Sequence, residues 1–245
     1  MSVIWNLWHG CLKVSAGCAN CYMYRTDEKF GRDSRKIYKT QDFNLPMRKI
    51  RGGNDKIPAG SLVYTCFTSD FFIQEADLWR EDAWGMMRYR QDLHFFLTTK
   101  RVERINECLP DDWGNGYENV TICCTVENQK EADRRLPIYL LLPLKHKTLI
   151  CEPLLTPLDL SSYLTGEIEK VIVGGESGDN ARPCRYDWVL AIRETCLAKN
   201  VAFTFKQTGA NFIKDGKHYR IPRKIQQSQA KKAGIDVKSE KHTAF

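Results

Sequence analysis

Cys11, Cys18 and Cys21 lie in the segment His9-Gly-Cys11-Leu-Lys-Val-Ser-Ala-Gly-Cys18-Ala-Asn-Cys21-Tyr22, with six and then two residues between them. A Cys-x-x-Cys pair lets two thiolates converge on one metal centre, and Gly10 and Gly17 permit tight turns whose amides can face cluster sulfur. Structural zinc closes with four protein ligands, whereas three leave a position open for water, substrate or cofactor. On a four-iron cluster that open position is an iron without a protein thiolate. The spacing points to one iron–sulfur cluster acting as a reaction centre. The competing reading is a structural zinc site with His9 as fourth ligand. Zinc sites, however, pair cysteines about two to four residues apart and add a second pair further on, and no second pair follows here. Of the other cysteines, Cys66, Cys108, Cys123, Cys124, Cys151 and Cys196 fall in apolar or helical segments, where cysteine acts as a small hydrophobe; Cys184 falls in a loop.

Reactive groups need elements to hold them. Short runs rich in β-branched and aromatic residues predict strands at Ser61–Phe67, Leu93–Leu97, Val120–Val126, Thr148–Cys151, Lys170–Val173 and Val201–Phe205. Helical character falls between them at Leu78–Tyr89, Arg101–Cys108, Gln129–Leu136 and Tyr186–Lys199. This alternation predicts an α/β protein with a parallel sheet covered by helices. The expected strands end in Ser69 and Asp70; Thr98, Thr99 and Lys100; Glu127 and Asn128; Glu152; Gly174, Gly175 and Glu176; and Lys206 and Gln207. Polar residues at the C-terminal end of so many strands favour a partial TIM-type (β/α)6–7 barrel over an open sheet with one switch point.

With 245 residues, 42% of them hydrophobic, the chain can bury the core of a single domain. No run approaches the roughly 18 apolar residues of a membrane span, and no apolar signal core precedes the first charges, so a soluble, cytoplasmic protein is expected. The net charge of +7 is C-terminal in origin: residues 206–245 hold ten Lys or Arg against Asp215, Asp236 and Glu240. Residues 1–210 are read as the barrel and 211–245 as a basic extension. That extension is either a footprint for a phosphate backbone or a solvated tail.

The segments Gly10-Cys-Leu-Lys-Val-Ser-Ala-Gly-Cys-Ala-Asn-Cys-Tyr22, Leu97-Thr-Thr-Lys-Arg101, Val126-Glu-Asn128, Cys151-Glu-Pro-Leu-Leu155, Val173-Gly-Gly-Glu-Ser-Gly178 and Phe205-Lys-Gln-Thr-Gly209 occur in this order. Together they resemble a phage- and bacteria-associated family of unknown function with a three-cysteine motif. That family is similar to radical S-adenosylmethionine (SAM) enzymes, particularly the branch containing spore photoproduct lyase. The resemblance implies a [4Fe–4S] cluster on Cys11, Cys18 and Cys21, with SAM chelating the fourth iron. It also implies an electron donor such as flavodoxin or ferredoxin, and reductive cleavage of SAM to a 5′-deoxyadenosyl radical that abstracts hydrogen from substrate. The chain departs from the usual pattern in two ways. Six residues rather than three separate the first two cysteines, and Gly174-Gly175-Glu176 follows a later strand than the usual Gly-Gly-Glu.

After the strand expected over Ser61–Phe67 stands Thr68-Ser69-Asp70, which gives the SAM amino group to Ser69 or Asp70. Thr99, Glu127 and Glu152 are further candidates for its polar groups. Gly174 and Gly175 would allow close backbone approach, with Glu176 projecting into the mouth. Lys100, Lys206 and Gln207 are assigned to substrate, and no residue is assigned a catalytic role. Trp5, Trp8, Tyr22 and Tyr24 flank the cysteines, as shields or as a stacking surface. Two functions follow: a radical SAM enzyme acting on nucleic acid (DNA or RNA), a nucleotide or a peptide, with the basic C-terminus favouring nucleic acid, or a non-catalytic zinc or iron–sulfur module that binds nucleic acid.

Overall fold

The computed structural model describes residues 1–239. Glu240 and Lys241, part of the C-terminal charge balance, lie outside the described residues. The strands are β1 (Ser2–Trp5), β2 (Trp8–His9), β3 (Tyr38–Lys39), β4 (Leu62–Thr65), β5 (His94–Thr99), β6 (Val120–Thr125), β7 (His146–Cys151), β8 (Ile168–Gly174), β9 (Cys184–Arg185), β10 (Ala202–Gln207), β11 (Asn211–Lys214) and β12 (Lys217–Arg220). The α-helices are α1 (Tyr22–Lys29), α2 (Asp77–Tyr89), α3 (Gln129–Leu141), α4 (Tyr186–Lys199) and α5 (Gln226–Lys232).

Seven strands form one sheet in the order β1-β4-β5-β6-β7-β8-β10. Each strand of this sheet lies beside the next one in sequence, without the reversal that marks a doubly wound fold; sequential winding is the topology of a barrel or part of one. A second sheet runs β12-β11-β9, and β2 pairs with β3.

The chain divides into two compact units. The first comprises Met1–Val14, Met23–Cys123 and Leu142–His146. In it β1 pairs in parallel with β4, from Ser2↔Leu62 to Trp5↔Thr65, and β4 with β5, from Leu62↔His94 to Thr65↔Leu97. Helix α2 buries Ala83, Trp84, Met86 and Met87. Trp84 meets Phe71 with ring centroids 4.8 Å apart and Trp113 at 5.2 Å.

The second unit comprises Ser15–Tyr22, Cys124–Leu141 and the chain from Lys147. Here β7, β8 and β10 pair in parallel, and α4 buries Val189, Ile192 and Cys196. Residues 211–239 are integrated into this unit. Strand β11 pairs with β9 and β12, α5 packs on β10, and Val237 bridges Phe203.

Three local features differ from expectation. β1 is a four-residue strand that sequence reading does not mark, so the cysteine segment follows the first strand instead of preceding the first βα unit. The helix expected over Arg101–Cys108 is two 3-10 turns, Val102–Arg104 and Asn106–Cys108. Pro110 biases Leu109 to the extended conformation it adopts (ψ 143°), which ends the turn. Cys184 lies in β9, where it pairs with Phe212 and is fully buried.

Candidate functional site

In the first unit the segment leading to Cys11 crosses the C-terminal ends of β4 and β5. Gly10 donates its N–H to the Thr68 carbonyl at 3.1 Å and accepts from the Ser69 hydroxyl. Its φ of +91° suits glycine, and a Cβ there would lie 2.3 Å from the Lys36 carbonyl oxygen. Cys11 donates its N–H to the Ser34 carbonyl at 2.8 Å, and the Tyr24 hydroxyl donates to the Cys11 carbonyl.

Asp70 organises the floor beneath this loop. It accepts from the Thr99 hydroxyl at 2.7 Å, the Phe72 N–H at 3.0 Å and the Lys100 N–H at 3.0 Å, and it pairs with Arg101 at 3.1 Å. Arg101 in turn donates to the Leu12 carbonyl at 2.7 Å and places Nη1 3.8 Å from the Cys11 sulfur. Burial draws the Arg101 pKa down, but the charges of Asp70 and Cys11 outweigh it and hold the guanidinium above its ordinary value.

In the second unit the turn Ala16–Cys18 is fastened by a carboxylate. Gly17 donates its N–H to Glu127 Oε1 at 2.9 Å, and a Cβ at Gly17 would stand 2.9 Å from Glu127 Cδ. Only glycine fits against the carboxyl at this spacing. Glu127 Oε2 meets Arg135 Nη1 at 2.9 Å, with both side chains fully buried. Asn20 donates to Glu176 at 3.0 Å and to the Asn180 carbonyl at 2.9 Å. Arg182 donates to Glu176 through its backbone at 2.8 Å and through its guanidinium. Burial raises the Glu176 pKa, but the Arg182 and Asn20 hydrogen bonds and the Arg182 charge outweigh it and hold the carboxyl below its usual range.

Glu152 pairs with Lys206 at 2.7 Å and accepts from Gln207 at 2.5 Å. Gln207 also donates to the Gly175 carbonyl at 3.0 Å. A Cβ on Gly175 would lie 2.2 Å from the Thr208 carbonyl oxygen, so β8 and β10 separate with their backbones in close approach. The Tyr22 phenol is held well above its ordinary pKa by burial, then by Cys21 and Glu152, with Arg223 opposing. Tyr22 as a residue is 41% exposed.

The candidates thus fall into local groups. Ser69, Asp70, Thr99 and the Lys100 amide surround the Cys11 loop. Gly174, Gly175, Glu152, Lys206 and Gln207 form a second group, and Glu127 and Glu176 hold the turn that carries Cys18 and Cys21. Trp5 and Trp8 are core residues, with indole N–H groups bonded to the Asp42 and Asp70 carbonyls respectively. Sequence reading left out Arg101, Arg135, Arg182 and Asn20. The signal for Arg101 is its place in Leu97-Thr-Thr-Lys-Arg101 directly after a polar strand end, and that for Asn20 its place between Cys18 and Cys21; Arg135 and Arg182 carry none.

All ten cysteines are in the reduced, thiol form. Cys11, Cys18 and Cys21 are the partly accessible ones, and the other seven are buried. Burial pushes Cys66 and Cys151 up and takes Cys184 and Cys196 to about 12. Thiols raised in this way are poor metal ligands at neutral pH, because the thiolate is the binding form. The partly accessible Cys11, Cys18 and Cys21 are therefore the stronger thiolate candidates. Among the described residues, no three His, Cys, Asp or Glu side chains converge as ligands of a single ion do, and His9 is bonded to Asp27 at 2.8 Å.

The sequence profile of one family matches residues 1–245. The chain belongs to that family, described as protein of unknown function (DUF5131). A search of curated proteins and a search of solved structures each return no match.

Proposed function

We propose that this DUF5131 protein is a radical SAM-type enzyme that holds a [4Fe–4S] cluster on Cys11, Cys18 and Cys21 and acts on nucleic acid or a nucleotide. The observation that carries the reading is the division of the ten cysteines into three accessible thiols in one N-terminal segment and seven buried ones. When bound, the cluster and SAM supply one-electron chemistry. The chain's own residues orient and enclose. Asp70 and Arg101 fix the Cys11 loop and set a positive charge beside its sulfur. Glu127 and Glu176 fix the Cys18–Cys21 turn through Gly17 and Asn20. For the substrate, support comes from the nine Lys and Arg of residues 206–239, all exposed, against Asp215 and Asp236.

Anaerobic reconstitution with iron and sulfide is expected to give about four irons per chain, broad absorption near 400 nm and, with dithionite, cleavage of SAM. Cys11→Ala, Cys18→Ala and Cys21→Ala should each lose iron and SAM cleavage, while Cys123→Ala keeps both. A colourless chain that retains zinc and leaves SAM intact after reconstitution would overturn the proposal.

A further inference from the structure

Strand β10, the hairpin β11–β12 and helices α4 and α5 enclose a half-open pocket of about 250 Å³. Its apolar lining includes Phe205 and Phe212, 3% and 6% exposed, with ring centroids 5.9 Å apart and planes inclined by 30°. Tyr186 and Tyr219 add two further rings, and Lys214 and Lys232 complete the charged part of the lining. The Lys214 ammonium stands 4.9 Å from the Tyr186 ring centroid, a cation–π contact that holds it at the pocket. Tyr219 is 43% exposed and leaves ring surface uncovered.

This lining selects a class of ligand. Aromatic rings favour a flat, apolar group, and two lysines favour a negative charge attached to it. The volume falls just below the roughly 300–1,000 Å³ of pockets that engulf a drug-sized molecule. It suits one ring system, with sugar and phosphate left outside. Lys217, Arg220, Arg223, Lys224 and Lys231 are exposed on the same elements or the turn joining them, which continues the positive surface available to further phosphates. Of the two nearby acids in sequence, Asp236 already accepts from the Phe205 N–H at 2.8 Å.

We infer that this pocket binds the base of an unpaired nucleotide, stacked on Tyr219, with its phosphate on Lys214 and Lys232. A base within a duplex has both faces covered, so the ligand is single-stranded or free. The inference rests on the nucleic-acid half of the proposed function and is independent of the cluster.

Fluorescence anisotropy of the full reconstituted chain with a labelled single-stranded DNA of about ten nucleotides, with adenosine monophosphate as competitor, tests it. Tyr219→Ala should weaken binding by about tenfold and Tyr219→Phe should retain it. Replacing Lys214 and Lys232 together by alanine should reduce the slope of log affinity against log salt by about one. Competition by the mononucleotide at concentrations near the strand's own dissociation constant identifies a free nucleotide as ligand; its failure to compete identifies a strand. Because Tyr219 is largely exposed, its replacement leaves the core intact, which circular dichroism checks. Binding unchanged in Tyr219→Ala, or no binding of either probe, would overturn the inference. SAM cleavage measured on the same samples separates the proposals: wild-type binding that Tyr219→Ala leaves unchanged removes only the pocket, intact cleavage without any binding removes the pocket and the nucleic-acid substrate but not the SAM chemistry, and binding without cleavage removes only the radical SAM reading.

Discussion

Glu127 serves two partners with its two oxygens, the Gly17 amide and the Arg135 guanidinium, and all of its side chain is buried. Truncating one partner of such a pair strands the other charge away from water, at a cost of about 3–5 kcal/mol. Glu131, 2.8 Å from Arg135, offsets part of that cost. Glu127→Ala is therefore expected to lower the unfolding free energy toward the lower end of that range, and Glu127→Gln to lower it less because an acceptor for Gly17 remains; urea titration measures both. Glu176 supplies a pH signature. Its folded pKa is depressed, so its stabilisation is present above the unfolded carboxyl value, about 4.3, and is lost as pH falls through the folded value. Thermal scans from neutral to acid pH should show wild type losing a component of stability below about pH 4.3 that Glu176→Gln lacks at every pH.

At the scale of elements, the sheet was legible because each strand of its centre is a compact apolar run. β6, with every residue buried, reads Val-Thr-Ile-Cys-Cys-Thr, and no surface helix would carry such a run. β1 was hidden because only Trp5 of its four residues is buried, so no pattern marks it. The 3-10 turns after β5 were misread as a helix because apolar Val102, Ile105 and Cys108 recur at a spacing of three, which both geometries satisfy. The cysteine segment was legible as a candidate site for a different reason, since its three thiols sit close in sequence. What holds them does not: Gly17 and Glu127 are 110 positions apart, and Asn20 and Glu176 156. Only the fold brings such partners together, and periodicity carries no trace of it.

Over the whole molecule, the net positive charge comes from residues 206–245, and the described part of that stretch, to residue 239, is built into the second unit as strands and a helix. Among the described residues, no helix is long and apolar enough to cross a membrane. The strand order of the smaller sheet, β12-β11-β9, leaves β12 as its outermost member, with Lys217, His218, Tyr219 and Arg220 all exposed. A bare sheet edge is a template on which another chain can add a strand, and lysine and arginine along it are a common safeguard. The residues assigned to phosphate attraction thus have a second duty as gatekeepers against self-assembly. Replacing Lys217 and Arg220 by valine should produce concentration-dependent oligomers by light scattering, and added single-stranded nucleic acid, by neutralising the same edge, should promote clustering of the wild-type chain at low salt.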